Sequence, residues 1–509
     1  MDKLILEIHF QTVTQIHIGS GDNEGLVDNQ LMRRVDGKYI IPGSSLAGVL
    51  RARATRLFPR LFMLDQCLAF DSKNKQLCTC AVCSLFGQIN PDAKKDSPQT
   101  SKIMVDDAQL MLSDKTLLRD GIGIDRETRT VVKAAKFDYE TIPPETDVIL
   151  RIEGNQLTEL EEAMLVVLIS EIDLGRISIG GKSSRGLGRI RLKDSNQKKE
   201  VFAKYLKSLQ GDTQELIKLL KEDDWFNIGH EIHNWYEERL IFVINSYQPC
   251  SIDQMSIKGF IRFDEGLLIK DNYIGIGTSF DSVPHMLKIR DQLHTYLPGS
   301  SLRGVLRSQA ERIVRTVVSD QSIIGDSAEQ LLSLASDLFG DKEQGSRLKI
   351  RDGQEAFEVE SQAAMYSQDF LAIDRFTGGG RDGKKFDTVA VYRPRYELEF
   401  VLEQPEDWEI GWLLLTIRDL NDGLAMIGSG SAKGFGRAEI EVKNTTVLLP
   451  QNSEISGTLE DSGVLKAKQL SLASLLEDEK VDTYIEAFTQ KVKQEGASRE
   501  KGVEKEGAK

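Results

Sequence analysis

The chain has 509 residues, of which 40% are hydrophobic and 28% are charged, a composition typical of a globular protein with two to four domains. It contains 65 Lys and Arg against 79 Asp and Glu, and the net charge of −14 excludes a uniformly basic nucleic-acid-binding protein, although not a local basic groove. No apolar run is long enough to span a membrane, and the alternating residues 1–10 predict a strand rather than a signal peptide, so we expect a cytoplasmic protein without a membrane partner.

Predicted strands and helices alternate along the first part of the chain. Hydrophobic periodicity predicts strands at Leu4–Ile18, Lys38–Ile41, Val148–Glu153 and Gly188–Leu192, and helices at Ser45–Phe58 and Glu159–Ile172. This order predicts an α+β fold with an antiparallel sheet and helices on one face.

The second predicted strand runs into Pro42-Gly43-Ser44-Ser45, a turn that leads into a helix. Either serine can cap the helix by accepting a hydrogen bond from a free backbone N–H group. Free N–H groups, serine hydroxyls and the nearby Arg51 together make a candidate phosphate site. The alternative is a capped turn that binds nothing.

Four of the five cysteines lie in one short stretch with the spacing C-x10-C-x-C-x2-C. Cys67, Cys78, Cys80 and Cys83 offer four thiolates to one tetrahedral ion, which predicts a structural Zn²⁺ site. An iron–sulfur cluster also uses four cysteines, but nothing else in the sequence indicates redox chemistry.

A glycine-rich basic loop follows the second predicted helix. Its segment Gly180–Ser183 only superficially resembles a nucleotide-binding P-loop, because a glycine stands where that motif requires lysine and the order is helix to strand. Small residues allow a polymer backbone to approach, with Lys182, Arg185 and Arg189 available for phosphates. The alternative is a tight turn that is rich in glycine for steric reasons.

The same motifs recur in the same order about 250 residues later, which indicates duplication of a whole domain. The matching pairs are Ile41–Arg51 with Leu297–Arg307, Leu85–Gly87 with Leu338–Gly340, Ile124–Thr128 with Ile373–Thr377, and Ile179–Arg189 with Ile427–Arg437. We therefore predict a first domain at 1–195, a helical connector at 196–237, a second domain at 238–445, and a tail at 446–509 that is helical and then disordered.

The serine turn, the Ile-Asp-Arg segment and the glycine-rich loop, in this order and twice, resemble the RAMP superfamily. Within it they are similar to the backbone subunits of type III CRISPR effector complexes, in a tandem, double-domain version. The resemblance implies two ferredoxin-like, RRM-like domains, each with a thumb hairpin that wedges between bases. It also implies a subunit that coats a guide RNA (crRNA), contacts other subunits of the complex and cuts the paired target RNA at regular intervals.

The family places its catalytic aspartate in the loop before the serine turn, so the resemblance implies that Asp28 is catalytic. A carboxylate there can hold a divalent cation such as Mg²⁺ or orient a ribose 2′-hydroxyl. The second half departs from the pattern, because counting back from Pro298 places Val283 near this position and Asp281 two residues away. Either Asp281 also cuts, or the second half only binds.

The turns, hairpins and glycine-rich loops are the expected contacts with RNA. The candidate RNA-binding residues are Gly43, Ser44, Ser45, Arg51, Arg126, Lys182, Ser183, Arg185, Ser300, Ser301, Arg303, Arg307, Arg375, Lys433 and Arg437.

Two other functions stay open. The first is a non-catalytic scaffold with the same RNA contacts. The second is a guide-processing ribonuclease of the same superfamily, which would need a general base near the glycine-rich loop. It ranks last because we expect none of the six histidines to lie near that loop.

Overall fold

The structure is a computed structural model. It describes residues 3–21, 27–69, 78–88, 99–112, 115–125, 128, 130–195, 198–206, 230–247, 254–271, 279–289, 292–318, 333–341, 343–356, 364–449 and 468–506.

The first half comprises the following elements. Its strands are β1 (Lys3–Thr12), β2 (Ile40–Ile41), β3 (Ile103–Val105), β4 (Ala108–Met111), β5 (Leu117–Ile124), β6 (Val131–Thr141), β7 (Asp147–Asn155), β8 (Ile190–Leu192), β9 (Asp194–Ser195), β10 (Lys198–Lys199), β11 (Val201–Leu206) and β12 (His230–Ile232). Its helices are α1 (Gly43–Leu61), α2 (Ala81–Phe86), α3 (Glu159–Asp173) and α4 (Trp235–Ser246).

The second half repeats this series. Its strands are β13 (Gln254–Phe263), β14 (Gly266–Leu267), β15 (Met286–Ile289), β16 (Gln292–Leu297), β17 (Leu348–Ile350), β18 (Gly353–Gln354), β19 (Met365–Ile373), β20 (Gly380–Tyr392), β21 (Arg395–Glu403), β22 (Ala438–Ile440), β23 (Thr446–Leu449) and β24 (Lys468–Ser471). Its helices are α5 (Gly299–Val318), α6 (Ser333–Phe339), α7 (Asp407–Asn421), α8 (Leu472–Leu476) and α9 (Lys480–Glu506).

A four-stranded antiparallel sheet forms the centre of each half. The neighbours are β3-β7-β1-β8 in the first half and β17-β21-β13-β22 in the second. Together with α1 and α3, or α5 and α7, the chain order is strand, helix, strand, strand, helix, strand. This is the ferredoxin-like topology, so the predicted α+β fold with two tandem domains is confirmed.

Hydrophobic periodicity accounts for how each half closes. In β1 alternate residues are buried, so one face of the strand carries Leu4, Leu6 and Ile8 into the core. Helix α1 presents Leu46 and Leu50 to the same core, at helical spacing. The second half builds a separate core in the same way.

The predicted helical connector is wrong where the structure describes it. Residues expected to begin a helix instead form β11, which pairs with β1 and extends the first sheet, and β12 pairs with β11. Helix α4 then buries Trp235, Tyr236 and Val243 in the core of the first half. Residues 207–229, the central part of the predicted helical connector, lie outside the described residues.

The predicted tail also belongs to the fold. Strand β23 pairs with β13, and β24 pairs with β23, so the sheet continues past residue 445. Helix α9 buries Tyr484 and Phe488 against α7, where the Phe488 ring stacks on Trp412 at 5.5 Å. This helix runs to Glu506, although the end of the tail was expected to be disordered. The connector thus adds two strands and a helix (β11, β12 and α4) to the first half, and the tail adds β23, β24 and α9 to the second in the same way. The duplication therefore extends to the end of each half.

The two halves contact each other through β5 and the glycine-rich loop of the first half. Arg119 on β5 forms a bidentate ion pair with Asp352, at 2.6 and 3.0 Å, and the two side chains are only 2% and 5% exposed. A Cβ atom on Gly186 would lie 2.5 Å from the backbone nitrogen of Asp352, so only glycine fits there.

Among the described residues, no helix is both long and apolar enough to cross a lipid bilayer.

Replacing Asp352 by alanine is expected to lower the free energy of unfolding by about 3–5 kcal/mol, because Arg119 would keep a buried charge without its counter-ion. Asp107→Ala is the matched control. Asp107 and Asp352 each accept the N–H of a helix-initiating glycine, Gly43 and Gly299, but Asp107 is exposed. We expect the control to cost about 1 kcal/mol in urea unfolding. Equal costs for the two variants would show that the ion pair adds nothing.

Candidate nucleic-acid interface

The loop aspartates are bound to the hairpins by the same pair of hydrogen bonds in both halves. The backbone N–H of Asp28 donates to Asp138 Oδ1 at 2.8 Å, and the N–H of Asp138 donates to Asp28 Oδ2 at 2.9 Å. Asp281 and Asp387 repeat this exchange at 2.7 and 3.1 Å. Both loop carboxylates are exposed, so each is held in place while remaining open to a ligand.

This pairing decides the register of the second loop. Asn29 forms a parallel bridge with Tyr139, and Ser282 forms the matching bridge with Thr388. The residue before each bridge is therefore the equivalent one, which is Asp281 rather than Val283. Val283 is buried. Counting residues back from Pro298 pointed to Val283 because the two loops differ in length.

Asp138 and Asp387 had no role in the sequence-based prediction. They lie at the base of β6 and β20, far along the chain from the loops that they hold. The segments Lys136-Phe137-Asp138 and Lys385-Phe386-Asp387 are identical in the two halves. That repetition is the signal that would have drawn attention to them.

The glycine-rich loop of the first half places cations beside the hairpin. Lys182 Nζ lies 4.6 Å from the ring centroid of Tyr139, and the Arg185 guanidinium lies 5.2 Å from that of Phe137. Burial and the charge of Arg185 lower the pKa of Lys182. Ser183 begins the short 3₁₀ turn that carries Arg185.

His17 lies directly beneath this loop. Its carbonyl accepts the N–H of Gly181, and its imidazole Nδ1 is 2.8 Å from the carbonyl oxygen of Glu140. The expectation that no histidine lies near the loop is therefore wrong. Burial lowers the pKa of His17, and its ring packs edge-on against Tyr139, so it is part of the packing beneath the loop.

The serine turns begin helices, but without the expected serine cap in α1. Pro42 occupies the N-cap position of α1 and forms no side-chain cap, while Gly43 donates its N–H to Asp107. Ser44 and Ser45 lie in the first turn of α1 with exposed side chains. A Cβ atom on Gly43 would lie 2.0 Å from the carbonyl oxygen of Val105, so this glycine is required for close packing.

The arginine in each of these helices reaches the short helix next to it. Arg51 Nη2 lies 3.6 Å from Cys83 Sγ in α2. Arg307 donates to the carbonyl of Gly340 at 2.7 Å and lies 3.5 Å from Ser336 Oγ in α6. By the Leu-Phe-Gly match, Ser336 is the counterpart of Cys83. Both arginines therefore join two helices, and their contact with RNA stays a prediction.

The serine turn of the second half lies at the contact between the halves. Ser300 Oγ is 3.5 Å from Arg119 Nη2, and Arg303 Nη1 is 3.3 Å from Ser184 Oγ in the glycine-rich loop. Ser301 follows in the same half-buried turn. Burial, with the nearby charges of Arg185 and Arg307, lowers the pKa of Arg303 to about 10. The fold thus crowds positive charges from both halves along this contact.

The remaining candidates lie at the hairpin tip and in the second glycine-rich loop. Arg375 follows Asp374, whose carboxylate accepts the N–H groups of Phe376 and Thr377, and the Phe376 side chain is 90% exposed. Arg126 lies outside the described residues. Lys433 Nζ lies 4.0 Å from the centroid of Phe386, whereas Arg437 pairs with Asp264 at 3.2 Å.

The four cysteines form one cluster between α1 and the following strand. Their Sγ atoms all lie within 4.8 Å of one another, and Cys67 and Cys83 are 3.5 Å apart. Four sulfurs around a tetrahedral Zn²⁺ lie about 3.8 Å apart, given the usual Zn–S distance, so the cluster fits this ion. Among the described residues, this is the group that brings three or more metal-ligating side chains together.

Comparison with known proteins identifies relatives for both halves. The RAMP superfamily profile matches residues 9–191 and 287–439, which together are more than half of the chain. A protein of Methanocaldococcus jannaschii named CRISPR system Cms endoribonuclease Csm3 is 28% identical over 207 residues, covering 38% of this chain and 79% of that protein.

Proposed function

Because the chain belongs to the RAMP superfamily, we propose that it is a double backbone subunit of a type III CRISPR complex. In this role it binds crRNA, pairs it with a complementary target RNA, and cuts the target as an endoribonuclease. Asp28 and Asp281 are the catalytic residues. Its partners are the two RNA strands and the other subunits of the complex.

One observation carries the catalytic part of this proposal. Two exposed loop carboxylates, Asp28 and Asp281, are fixed by the same reciprocal hydrogen bonds in two halves of different sequence. A solvated acid in a surface loop has no need for such a constraint. A pre-positioned carboxylate is what a cleavage site requires, because catalysis depends on holding a reacting group in a fixed geometry.

The proposed guide path crosses the contact between the halves. Lys182, Arg185 and Arg303 bring three positive charges to it. Burial, and after it the charge of Arg185, lowers the pKa of both Lys182 and Arg303. A phosphate placed among these charges relieves their repulsion and accepts charge-assisted hydrogen bonds from these side chains. The covalent joining of two domains thereby provides one complete binding surface.

Cleavage in this proposal depends on the ribose as well as on the protein. The carboxylate of Asp28 takes the proton of the 2′-hydroxyl next to the scissile phosphate while that oxygen attacks the phosphorus. The bond from phosphorus to the 5′-oxygen of the next nucleotide breaks, and this oxygen takes a proton from water, so the products carry a 2′,3′-cyclic phosphate and a 5′-hydroxyl. The hairpin tips, with exposed apolar side chains such as Phe376 and Ile124, separate neighbouring bases so that this nucleotide leaves helical geometry. A divalent cation such as Mg²⁺, held by the loop carboxylate and the RNA, would supply charge stabilisation.

The scaffold function is the second candidate, because each loop carboxylate already accepts the N–H of a hairpin aspartate, which is also what a purely structural anchor of the loop would do. In that case the chain would bind both strands while other subunits cut. The two functions are separated by target cleavage in the assembled complex with Asp28→Ala, Asp281→Ala and the double variant.

The double variant Lys182→Ala/Arg185→Ala is expected to weaken guide RNA binding without changing its sequence dependence. The loss of two phosphate contacts on a single strand should make the slope of log K against log salt shallower by about 1.4. Filter binding at several salt concentrations measures this. Lys198→Ala/Lys204→Ala, on β10 and β11, is the control and should leave both the affinity and the salt dependence unchanged. An unchanged slope in the first variant would mean that the loop is only a turn.

A further inference from the structure

A cavity of about 370 Å³ lies beside Asp281 in the second half. Three aromatic rings form its walls, those of Phe370, Phe386 and Phe435. The rings of Phe370 and Phe386 are nearly parallel at 5.2 Å, and Phe435 stands perpendicular to Phe370 at 6.0 Å. Polar groups of the loop and hairpin, including Lys433, line the rest. Its size falls within the range of about 300–1,000 Å³ for small-ligand sites.

The first half has larger or more polar residues at three of the corresponding positions. Tyr139 stands at the position of Thr388, and Lys182 at that of Gly430. The ammonium of Lys182 lies over the Tyr139 ring, and His17 packs edge-on against the same ring. Leu268 of the second half is the counterpart of His17. The carbonyl of His17 accepts the N–H of Gly181, and the carbonyl of Leu268 accepts the N–H of Ser429, the matching residue of the second loop. Three smaller or apolar residues therefore open the cavity.

We propose that this cavity binds one nucleobase of the target RNA, next to the nucleotide presented to Asp281. This inference rests on the proposed function, since it requires RNA along the hairpin. It assigns base binding to the second half and leaves the first half to hold its nucleotide without such a pocket.

The chemistry of the lining favours a base over other groups. Aromatic walls bind a flat π system, and every nucleobase has a face that stacks on them. The ammonium of Lys433 and the hydroxyls of Ser429 and Ser282 meet the polar edges of a base with donors and acceptors. Lys270 and Lys433 also line the cavity, but a phosphate in its interior would face the Asp281 carboxylate and three phenyl rings, on which a base can stack.

The test places 2-aminopurine singly at successive positions of the target, in the assembled complex with a guide RNA. Fluorescence of this base rises when it leaves the base stack. We expect a several-fold higher signal than at neighbouring positions next to both cuts, because both hairpins unstack a base. The signal next to the cut that Asp281→Ala removes should differ from the other, because only that base enters the aromatic cavity. Thr388→Tyr, which introduces the side chain of the first half, should make the two signals alike.

Phe370→Ala provides a second variant, because Phe370 is only half-buried on the hairpin and its loss spares the core. Leu371→Ala is the matched control: the next residue on the same strand is 55% exposed, and its replacement should leave the signal unchanged. The inference is overturned if target RNA binds but neither Thr388→Tyr nor Phe370→Ala changes any 2-aminopurine signal. Failure of the wild-type complex to bind target RNA would overturn the proposed function, and the inference with it.

Discussion

Asp28→Ala is expected to abolish one specific cut in the target RNA, by about 100-fold or more, the usual effect of removing a group that moves or orients a proton. Guide and target binding should persist, because the serine turn and the basic loop are untouched. Asp28→Asn sharpens the test. It keeps an oxygen to accept the N–H of Asp138 but removes the negative charge, so it should lose the same cut while keeping the loop in place. Cleavage by the assembled complex is measured on end-labelled target.

Asp281→Ala should remove a second, regularly spaced cut for the same reason, since Asp387 holds it as Asp138 holds Asp28. Asp36→Ala is the control, because Asp36 is an exposed acid in the same segment as Asp28 that bonds only locally in the described contacts, to Lys38 and Arg34. If a cation assists, EDTA should remove both cuts in the wild type. A double variant that retains every cut would refute catalysis by this chain and favour the scaffold.

Cys80→Ser is expected to reduce the bound zinc from about one ion per chain to none and to destabilise the first half more than the second. The physical reason is that binding to a structural zinc site contributes directly to the free energy of folding. In the absence of an ion, burial raises the pKa of Cys80 to about 11, so this thiol stays neutral at pH 7 unless a metal stabilises its thiolate. Elemental analysis of freshly purified protein and urea unfolding test this.

The second half supplies the control for this experiment. By the Leu-Phe-Gly match, Ser333 and Ser336 stand where the first half has Cys80 and Cys83. Ser336→Ala should therefore leave the zinc content unchanged and cost only the contacts of this hydroxyl with Arg307 and Asp341. Iron in place of zinc, or no metal at all in the wild type, would contradict the predicted site.

The sequence by itself determined those features that reside in local patterns. Alternation in β1 and helical spacing in α1 predicted α+β halves with an antiparallel sheet, because each element has to bury one apolar face. The ferredoxin-like topology was implied by the family resemblance. Cysteine spacing predicted a cluster that the fold does bring together. The repeat of whole motifs established the duplication, although the position of Asp28 as the catalytic residue came from family resemblance and is still to be tested.

Local patterns failed where a segment is stabilised by distant partners. Residues 200–207 contain good helix formers, yet β1 offers an unpaired edge there, and pairing with it forms β11 instead. The strands of the tail were missed for the same reason, since β23 forms by pairing with β13, and β24 by pairing with β23.

Only the tertiary structure decided how the candidate site is assembled. Asp28 meets Asp138, and Asp281 meets Asp387, across separations of more than 100 residues that depend on hairpin register and loop length. The contact between the halves depends on Arg119 reaching Asp352. The cavity of the second half depends on the combined volumes of side chains from a loop, a hairpin and the segment after β13. Such contacts are set by three-dimensional packing, which neither the spacing nor the composition of any one segment contains.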